Sequence, residues 1–227
     1  MASPTLSVFN RSVKDGYRRI GVVGTPCQMT ALAQIRTNPL DMPDFEDRVG
    51  LSVGLFCTWA LDTRRFTVFL SELVKPETIR KTDVPPPPAE IMVIESENGR
   101  MEIPLSEIRA MIPQSCGICP DMTAEWADIS VGAVEGRPGW NTLIIRTERG
   151  KEVVQNACEQ GWLMTEAMPE KNLENLRNAA THKKHRAICL AAEKGLVNTE
   201  EGKRAAIRMP EAVFRKLMEK EAACQQL

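Results

Sequence analysis

Two short apolar runs constrain the fold of this chain more than any other feature of its sequence. The first, Arg19–Gly24, ends in a glycine, and the second, Val49–Phe56, ends just before a cysteine. Such runs are typical of buried strands. Each is followed by residues with helical apolar spacing, Met29–Ile35 and Thr63 to about Val74, and Asp62 can cap the second helix. This alternation of strands and helices predicts an α/β unit.

The middle of the chain predicts a β-hairpin. Ile91–Glu95 and Met101–Ile103 flank an Asn-Gly pair, which is a strong signal for a tight turn between two strands. The four prolines Pro85–Pro88 precede it and indicate a polyproline spacer or a surface excursion. Three further strands are expected, at Ala127–Val134, Thr142–Thr147 and Gly161–Thr165.

From Glu170 onward the sequence is helix-forming and nearly free of strand patterns. We therefore predict a mixed α/β fold, with a central, mostly parallel sheet, flanking helices, a β-hairpin insertion and a helical C-terminal tail. The expected domains are residues 1–169, an α/β core, and residues 170–227, a helical extension. Within the extension, residues 182–186 form the densest basic patch, which is either a solvated helix face or a contact for an anion or a partner.

Composition excludes several classes of function. Lys and Arg number 29 against 30 Asp and Glu, which removes the electrostatic argument for a general nucleic-acid binder. The aromatic content of 5% also disfavours a base-stacking surface. The sequence shows neither a membrane-length apolar run nor a secretory signal, so we expect no membrane span and a cytoplasmic location. It contains no recognisable catalytic triad, and we predict no catalytic side chain.

Seven cysteines are the unusual element of the composition. An odd number without a secretory signal favours metal or redox chemistry over a disulfide framework. Cys116-Gly117-Ile118-Cys119 is a C-x-x-C motif, which is found in dithiol redox sites, in zinc sites and in iron–sulfur sites. The motif by itself does not distinguish these three.

Two more cysteines, Cys27 and Cys57, lie where the two apolar runs end. The carboxyl ends of neighbouring parallel strands face the same crevice, so both thiols are expected near one point. Together with the C-x-x-C loop they could form a four-thiolate site for an iron–sulfur cluster or for zinc. The alternative is that Cys27 and Cys57 are small packing residues. The remaining cysteines lie in helical patterns and are not expected to be ligands: Cys158, Cys189 and Cys224.

Five sequence blocks appear in a fixed order. They are Gly-Thr-Pro-Cys-Gln (24–28), Gly-Leu-Phe-Cys (54–57), Cys-x-x-Cys-x-Asp-Met-Thr (116–123), Ala-Asp-Ile-Ser-Val-Gly (127–132) and Gly-Trp-Asn-Thr-Leu-Ile-Ile-Arg-Thr (139–147). Their ordered combination resembles the coenzyme F420 hydrogenase/dehydrogenase beta-subunit family, which includes the beta subunits of F420-reducing hydrogenase and of F420-dependent formate dehydrogenase. The resemblance covers roughly residues 5–195.

The resemblance implies an iron–sulfur flavoprotein subunit of an oxidoreductase, with FAD and a 4Fe-4S cluster. Such a subunit passes electrons between coenzyme F420 and other subunits of a redox complex, of the hydrogenase, formate dehydrogenase or heterodisulfide-reductase type. The implied cluster ligands are Cys27, Cys57, Cys116 and Cys119. The implied flavin contacts are Gly24, Thr25, Pro26, Gln28, Trp140, Asn141, Thr142 and Arg146.

One departure from the family pattern bears on these expectations. Family members carry a further amino-terminal segment that helps to bind flavin and substrate, whereas this sequence enters almost directly into the block at residues 24–28. Either a separate polypeptide supplies that segment, or the flavin site is incomplete. Two alternatives therefore stand beside the flavoprotein: a cluster-only electron relay that docks to redox partners, and a structural zinc domain serving as an interaction module.

Overall fold

A computed structural model describes residues 4–38, 44–85, 89–203 and 205–224. These residues divide into two compact units, Trp59–Cys116 (the first unit) and residues 4–58 with 117–224 (the second unit). The boundary expected near residue 169 falls inside the second unit. In the sequence, the first unit is instead inserted between the two parts of the second unit.

Over the described residues, the strands are β1 (Ile20–Gly24), β2 (Val49–Leu55), β3 (Ile79–Asp83), β4 (Ile91–Ser96), β5 (Gly99–Pro104), β6 (Ile129–Ala133), β7 (Asn141–Ile145), β8 (Val197–Asn198) and β9 (Ile207–Arg208). The helices are α1 (Thr5–Lys14), α2 (Pro26–Thr37), α3 (Thr63–Leu73), α4 (Leu105–Arg109), α5 (Gln114–Gly117), α6 (Glu148–Glu159), α7 (Glu170–Glu193) and α8 (Glu211–Cys224), with a short 3-10 helix at Pro76–Thr78. None of these helices is both long enough and apolar enough to cross a membrane.

The second unit contains the expected sheet, with the described strands in the order β1-β2-β6-β7. β1, β2 and β6 run parallel, and β7 pairs with β6 in the antiparallel direction. The prediction of a mixed α/β fold with a mostly parallel sheet is confirmed. An apolar cluster with Phe9 of α1, Val22 of β1, and Met29 and Leu32 of α2 forms a core of this unit. Burial of these side chains fixes α1 and α2 relative to the sheet.

The first unit contains an antiparallel sheet in the order β3-β4-β5. β4 and β5 form the predicted hairpin, with Ser96 paired to Gly99 across the turn. Gly99 has φ +124°, a backbone conformation that side chains disfavour. The predicted cap of α3 is also present, because Asp62 Oδ1 accepts a hydrogen bond from the Arg65 amide at 3.0 Å. An apolar cluster with Phe66, Ile94 and Ile108 forms the core of this unit.

Not every prediction from the sequence is confirmed. Gly161–Thr165 is not a strand: these residues are exposed, and the amides of Trp162 and Leu163 bond to the Ala157 carbonyl at the end of α6. Pro86–Pro88 of the four-proline run lie outside the described residues. The sequence did not predict β3, because four of its five residues are exposed and the strand therefore has no apolar pattern. The C-terminal region is mainly α7 and α8, as expected, with β8 and β9 forming a two-residue parallel pair.

Candidate redox site at the carboxyl edge of the sheet

The sheet of the second unit places Cys27 and Cys57 at one edge. β1 and β2 are parallel in register, with Val23 opposite Val53 and Gly24 opposite Gly54. Their carboxyl ends therefore lie side by side, and each cysteine follows its strand within three residues. This is the edge at which ligands of open α/β sheets bind. We call it the carboxyl edge.

The turn that carries Cys27 is fixed by a helix cap. The Gln28 side-chain oxygen accepts hydrogen bonds from the Thr25 amide at 2.9 Å and from the Thr25 hydroxyl at 3.2 Å. Pro26 occupies the first turn of α2, where a missing N–H costs nothing. The Cys27 sulfur is exposed and lies 3.3 Å from the Thr25 hydroxyl oxygen. The cap thus holds this sulfur at the start of α2, facing solvent.

Residues 117–128 approach the same edge by running back along β2. The Cys57 amide donates to the Met122 carbonyl at 2.9 Å, and the Asp128 amide donates to the Ser52 carbonyl at 3.0 Å. Between these bonds the segment crosses Gly54, where a Cβ would lie 2.1 Å from the Ala124 Cβ. The glycine therefore permits the close approach. Because Met122 bonds to Cys57, this segment reaches the carboxyl edge although it precedes β6 in the chain.

Cys119 shares an electrostatic environment with Cys27. Burial raises the pKa of the Cys119 thiol, and Cys27 and Asp121 raise it further, while a backbone contact with Asp121 and the charge of Lys183 oppose the rise. The Cys119 sulfur lies 3.6 Å from the Asp121 carbonyl. Cys27 is thus close enough to Cys119 to act on it electrostatically, and the Met122 bond places the backbone that follows Cys119 beside Cys57. The three cysteines of the second unit that the sequence predicts as ligands therefore lie on backbone segments that meet at the carboxyl edge.

Cys116 is the last residue of the first unit, and its amide donates to the Pro113 carbonyl at 2.9 Å. Among the cysteines not expected to be ligands, the Cys189 sulfur contacts the Met218 sulfur at 3.9 Å, and the Cys158 sulfur lies 3.9 Å from the Thr165 hydroxyl. Throughout the described part of the chain, no group of three or more His, Cys, Asp or Glu side chains is arranged so that it could hold a metal ion.

Lys183 is the residue of this site that the sequence analysis missed. It belongs to the basic patch at residues 182–186, yet it is only 4% exposed. Its ammonium donates to the carbonyls of Cys57 at 2.6 Å and of Asp121 at 2.7 Å. A signal was present in the sequence, because Lys183 lies four residues before Ala187 and eight before Ala191, on the buried face of α7.

A buried carboxylate holds the other end of the 117–128 segment. Asp128 Oδ2 accepts from the amide and hydroxyl of Ser52 at 2.8 and 2.7 Å, and Oδ1 accepts from the Thr147 hydroxyl at 2.7 Å. Burial alone would raise the pKa of Asp128, but the bonds from Thr147 and Ser52 outweigh burial and hold this pKa below its usual value. The ionised form is therefore favoured, and it ties β2 to the start of β6.

The second set of predicted flavin contacts, residues 140–142, lies at the start of β7. Because β7 is antiparallel to β6, Asn141 lies opposite Ala133 at the carboxyl end of β6, and thus at the carboxyl edge. Trp140 precedes it, with the Arg137 guanidinium 4.8 Å from the centre of its ring. Thr142 is buried, and its hydroxyl donates to the Ala133 carbonyl at 3.4 Å. The topology therefore gathers both predicted sets, residues 24–28 and 140–142, at one edge.

Arg146 is the predicted cofactor contact that lies elsewhere. It follows the end of β7 at the opposite edge, where its amide donates to the Asp128 carbonyl at 3.0 Å. Its guanidinium donates to the Ser130 hydroxyl at 2.8 Å and to the carbonyl and hydroxyl of Thr123 at 3.1 and 2.8 Å. The contacts of Arg146 therefore brace the 117–128 segment, and its role toward a flavin stays a prediction.

The fold is that of an α/β protein with a mostly parallel sheet, and it places cysteines at the carboxyl edge of that sheet. A sequence model for the C-terminal part of the coenzyme F420 hydrogenase/dehydrogenase beta subunit matches residues 17–171, and the chain belongs to this family.

Individual relatives agree with the family match. The chain is 29% identical to the coenzyme F420 hydrogenase subunit beta of Methanococcus voltae, over 77% of this chain and 60% of that protein. It is 31% identical to the coenzyme F420-dependent sulfite reductase of Methanocaldococcus jannaschii, over 78% of this chain and 29% of that protein. A chain in the F420-reducing NiFe hydrogenase complex of Methanosarcina barkeri superposes with a TM-score of 0.74 at 27% identity, over 84% of this chain and 67% of that chain. The chain thus spans about 60% of the length of the Methanococcus relative.

Proposed function

We propose that this protein is an electron-transfer subunit of an F420-linked oxidoreductase. The observation that carries the proposal is the grouping of Cys27, Cys57 and the Cys119 loop at the carboxyl edge of a domain whose sequence matches the F420 hydrogenase/dehydrogenase beta subunits. Relatives named as a hydrogenase subunit and as a sulfite reductase share the domain, which suits a redox module used with different partner chemistries.

The proposed ligands of a 4Fe-4S cluster are Cys27, Cys57, Cys116 and Cys119. Thiolates are the usual ligands of such clusters, so the chemistry of the donor set fits the group. Three of the four belong to the second unit, and the C-x-x-C motif adds Cys116 from the sequence. The backbone of two ligand-bearing segments is held by Lys183, whose ammonium bonds to Cys57 and to Asp121.

The proposed flavin, FAD, would lie along the same edge. The residues offered as contacts at this edge are Gly24, Thr25, Pro26, Gln28, Trp140, Asn141 and Thr142, whereas Arg146 follows the opposite end of β7 and is proposed from the resemblance alone. The cap formed by Thr25 and Gln28 would keep the turn at residues 24–28 rigid. When bound, flavin and cluster supply the conversion between two-electron and one-electron transfer. The task of the protein is to hold both groups in place and to keep water away.

The proposed partners are coenzyme F420, or a similar two-electron carrier, and other subunits of a redox complex. The comparison structure belongs to a hydrogenase complex, and other relatives are named as subunits. We propose that oxidoreductase activity depends on such partner subunits.

The experiment that tests this proposal is anaerobic purification with any co-purifying chain, followed by iron, sulfide and flavin analysis. We expect iron and sulfide in equal amounts, together with the absorption peaks of an oxidised flavin. Iron without flavin would instead favour the cluster-only relay, and bound zinc in a colourless protein would favour the structural module.

Cysteine variants assign the ligands. Cys119→Ser should abolish the iron–sulfur absorption, whereas Cys158→Ser serves as the matched control because Cys158 is not a proposed ligand and its sulfur lies near the Thr165 hydroxyl. Equal iron content in wild type and Cys119→Ser would remove Cys119 from the ligand set.

A further inference from the structure

Lys183 is a buried cation without a described anionic partner. Its side chain is 4% exposed, and none of the described carboxylates lies within ion-pair distance of its ammonium. Its neighbour Lys184 differs, because it is more exposed and pairs with Glu125. Burial of an unpaired charge is costly, so a compensating negative charge near Lys183 is expected.

The two acceptors of Lys183 are neutral carbonyls, which orient the ammonium without balancing its charge. The nearby carboxyl of Asp121 is committed to the backbone, since its oxygens accept from the amides of Thr123 and Glu125 at 3.0 and 2.8 Å. Because the two acceptor carbonyls belong to Cys57 and Asp121, the ammonium lies against the backbone of two segments that carry proposed thiolate ligands. The hydrogen bonds of Lys183 therefore place its positive charge beside the proposed thiolate site.

The position of Lys183 also couples it to the ligand-bearing backbone. One of its acceptors is the carbonyl of Cys57 itself, and the other belongs to Asp121, two residues after Cys119. These contacts span 126 and 62 residues of sequence, so α7 joins two distant segments at one point. Substitution at this position changes the charge at the site and the bonds that hold it.

We propose that Lys183 is a positioning residue that balances the negative charge of the thiolate-bound cluster and thereby sets its reduction potential. This inference rests on the iron–sulfur part of the proposed function. A fixed positive charge stabilises the reduced cluster more than the oxidised one, because reduction adds an electron. Removal of the charge should therefore lower the midpoint potential.

The test compares three variants of the full chain, purified anaerobically with any co-purifying subunit. Lys183→Gln keeps donor groups for the two carbonyls and removes the charge. Lys183→Arg keeps the charge, and Lys184→Gln removes a charge of the same sign one residue away. The readouts are iron and sulfide per chain and the midpoint potential from an EPR-monitored redox titration.

We expect Lys183→Gln to change the ratio of reduced to oxidised cluster at a fixed potential at least tenfold, which is a shift of about 59 mV to more negative values for a one-electron couple. Lys183→Arg and Lys184→Gln should stay near the wild type. An unchanged potential and iron content in Lys183→Gln would overturn the role of Lys183 alone. Wild-type protein free of iron would overturn the proposed function as well.

If Lys183→Gln does not fold, Lys183→Arg decides the question. A folded Lys183→Arg protein, verified by circular dichroism, should retain iron because the charge remains. A folded Lys183→Arg protein that takes up no iron would contradict the charge-balancing role.

Discussion

The two units bury different kinds of side chain. The buried residues described in the first unit are apolar: Leu61, Phe66, Leu70, Met92, Val93, Ile94, Ile103, Leu105, Ile108 and Met111. All of the buried polar or charged residues among those described belong to the second unit: Ser52, Asp121, Thr123, Asp128, Ser130, Thr142 and Lys183. One unit thus relies on an apolar core, and the other also contains a network of buried hydrogen bonds.

This difference indicates where the molecule holds its backbone in specific positions. Apolar packing is non-directional, whereas a buried polar group must be matched by a partner in good geometry. Within the described residues, every buried side-chain nitrogen and oxygen has a hydrogen-bond partner. Asp128, Arg146 and Lys183 use these bonds to fix the 117–128 segment, which is the segment that carries Cys119.

The largest stability effect is expected from the apolar core of the first unit. Ile94→Ala removes a side chain that is fully buried in β4, and the cavity should cost about 2–5 kcal/mol. Hydrogen exchange measured by mass spectrometry should show the loss of protection mainly in residues 59–116. Val68→Ala, at a side chain that is 61% exposed, is the control and should have little effect. Equal losses in both variants would contradict the assignment of this core.

A smaller effect is expected where the second unit needs close backbone approach. Gly54→Ala places a methyl group 2.1 Å from the Ala124 Cβ, and the displacement of the 117–128 segment should cost about 1–3 kcal/mol. Urea denaturation measures the cost. The matched control is Gly21→Ala in the neighbouring strand, where a Cβ meets nothing within 4 Å. If both variants unfold at the same urea concentration, the close approach is not required.

The buried carboxylate should give a pH-dependent effect. Asp128→Asn removes a charged acceptor from Ser52 and Thr147 and should cost about 1.5 kcal/mol at neutral pH. Because folding lowers the pKa of Asp128, its contribution is present above the pKa of the unfolded carboxyl. That contribution is lost as pH falls through the folded pKa, so the two proteins should become more alike in acid.

Urea denaturation across acidic and neutral pH tests this expectation. Asp83→Asn, at a side chain that is 52% exposed, serves as the control. A stability difference between Asp128→Asn and wild type that stays constant down to low pH would refute the linkage.

The smallest effect is expected at an exposed ion pair of the first unit. Arg100 pairs with Glu102 at 2.7 Å, but both side chains are more than half exposed. Arg100→Ala should therefore change the free energy of unfolding by about 0–1 kcal/mol in urea denaturation. A loss as large as that of Ile94→Ala would show that charged surface pairs, rather than apolar burial, stabilise this unit.

Sequence patterns predicted the local elements well, because their signals lie within short stretches. The apolar runs that become β1 and β2, the Asn-Gly hairpin of β4 and β5, and the Asp62 cap are all confirmed. The order of sequence blocks also predicted the family, which the match over residues 17–171 confirms. The cofactors and ligand assignments stay predictions.

The course of residues 117–128 was not predicted, because it depends on partners far away in sequence. Ser52 and Asp128 are 76 residues apart, and Lys183 and Cys57 are 126 residues apart. No periodicity within a short stretch reports such pairings. Two neighbouring lysines of the basic patch illustrate the same point. Lys183 is buried, whereas Lys184 pairs with Glu125 near the surface.

By itself, the sequence determined which stretches become strands and helices and which cysteines follow the parallel strands, because apolar periodicity and caps act over a few residues. Only the tertiary structure decided that the 117–128 segment folds back over Gly54, that Arg146 braces this segment, and that Lys183 bonds to the Cys57 carbonyl. The physical reason is that burial and hydrogen bonding of a polar group depend on all the segments packed around it, and those segments meet only when the chain is folded.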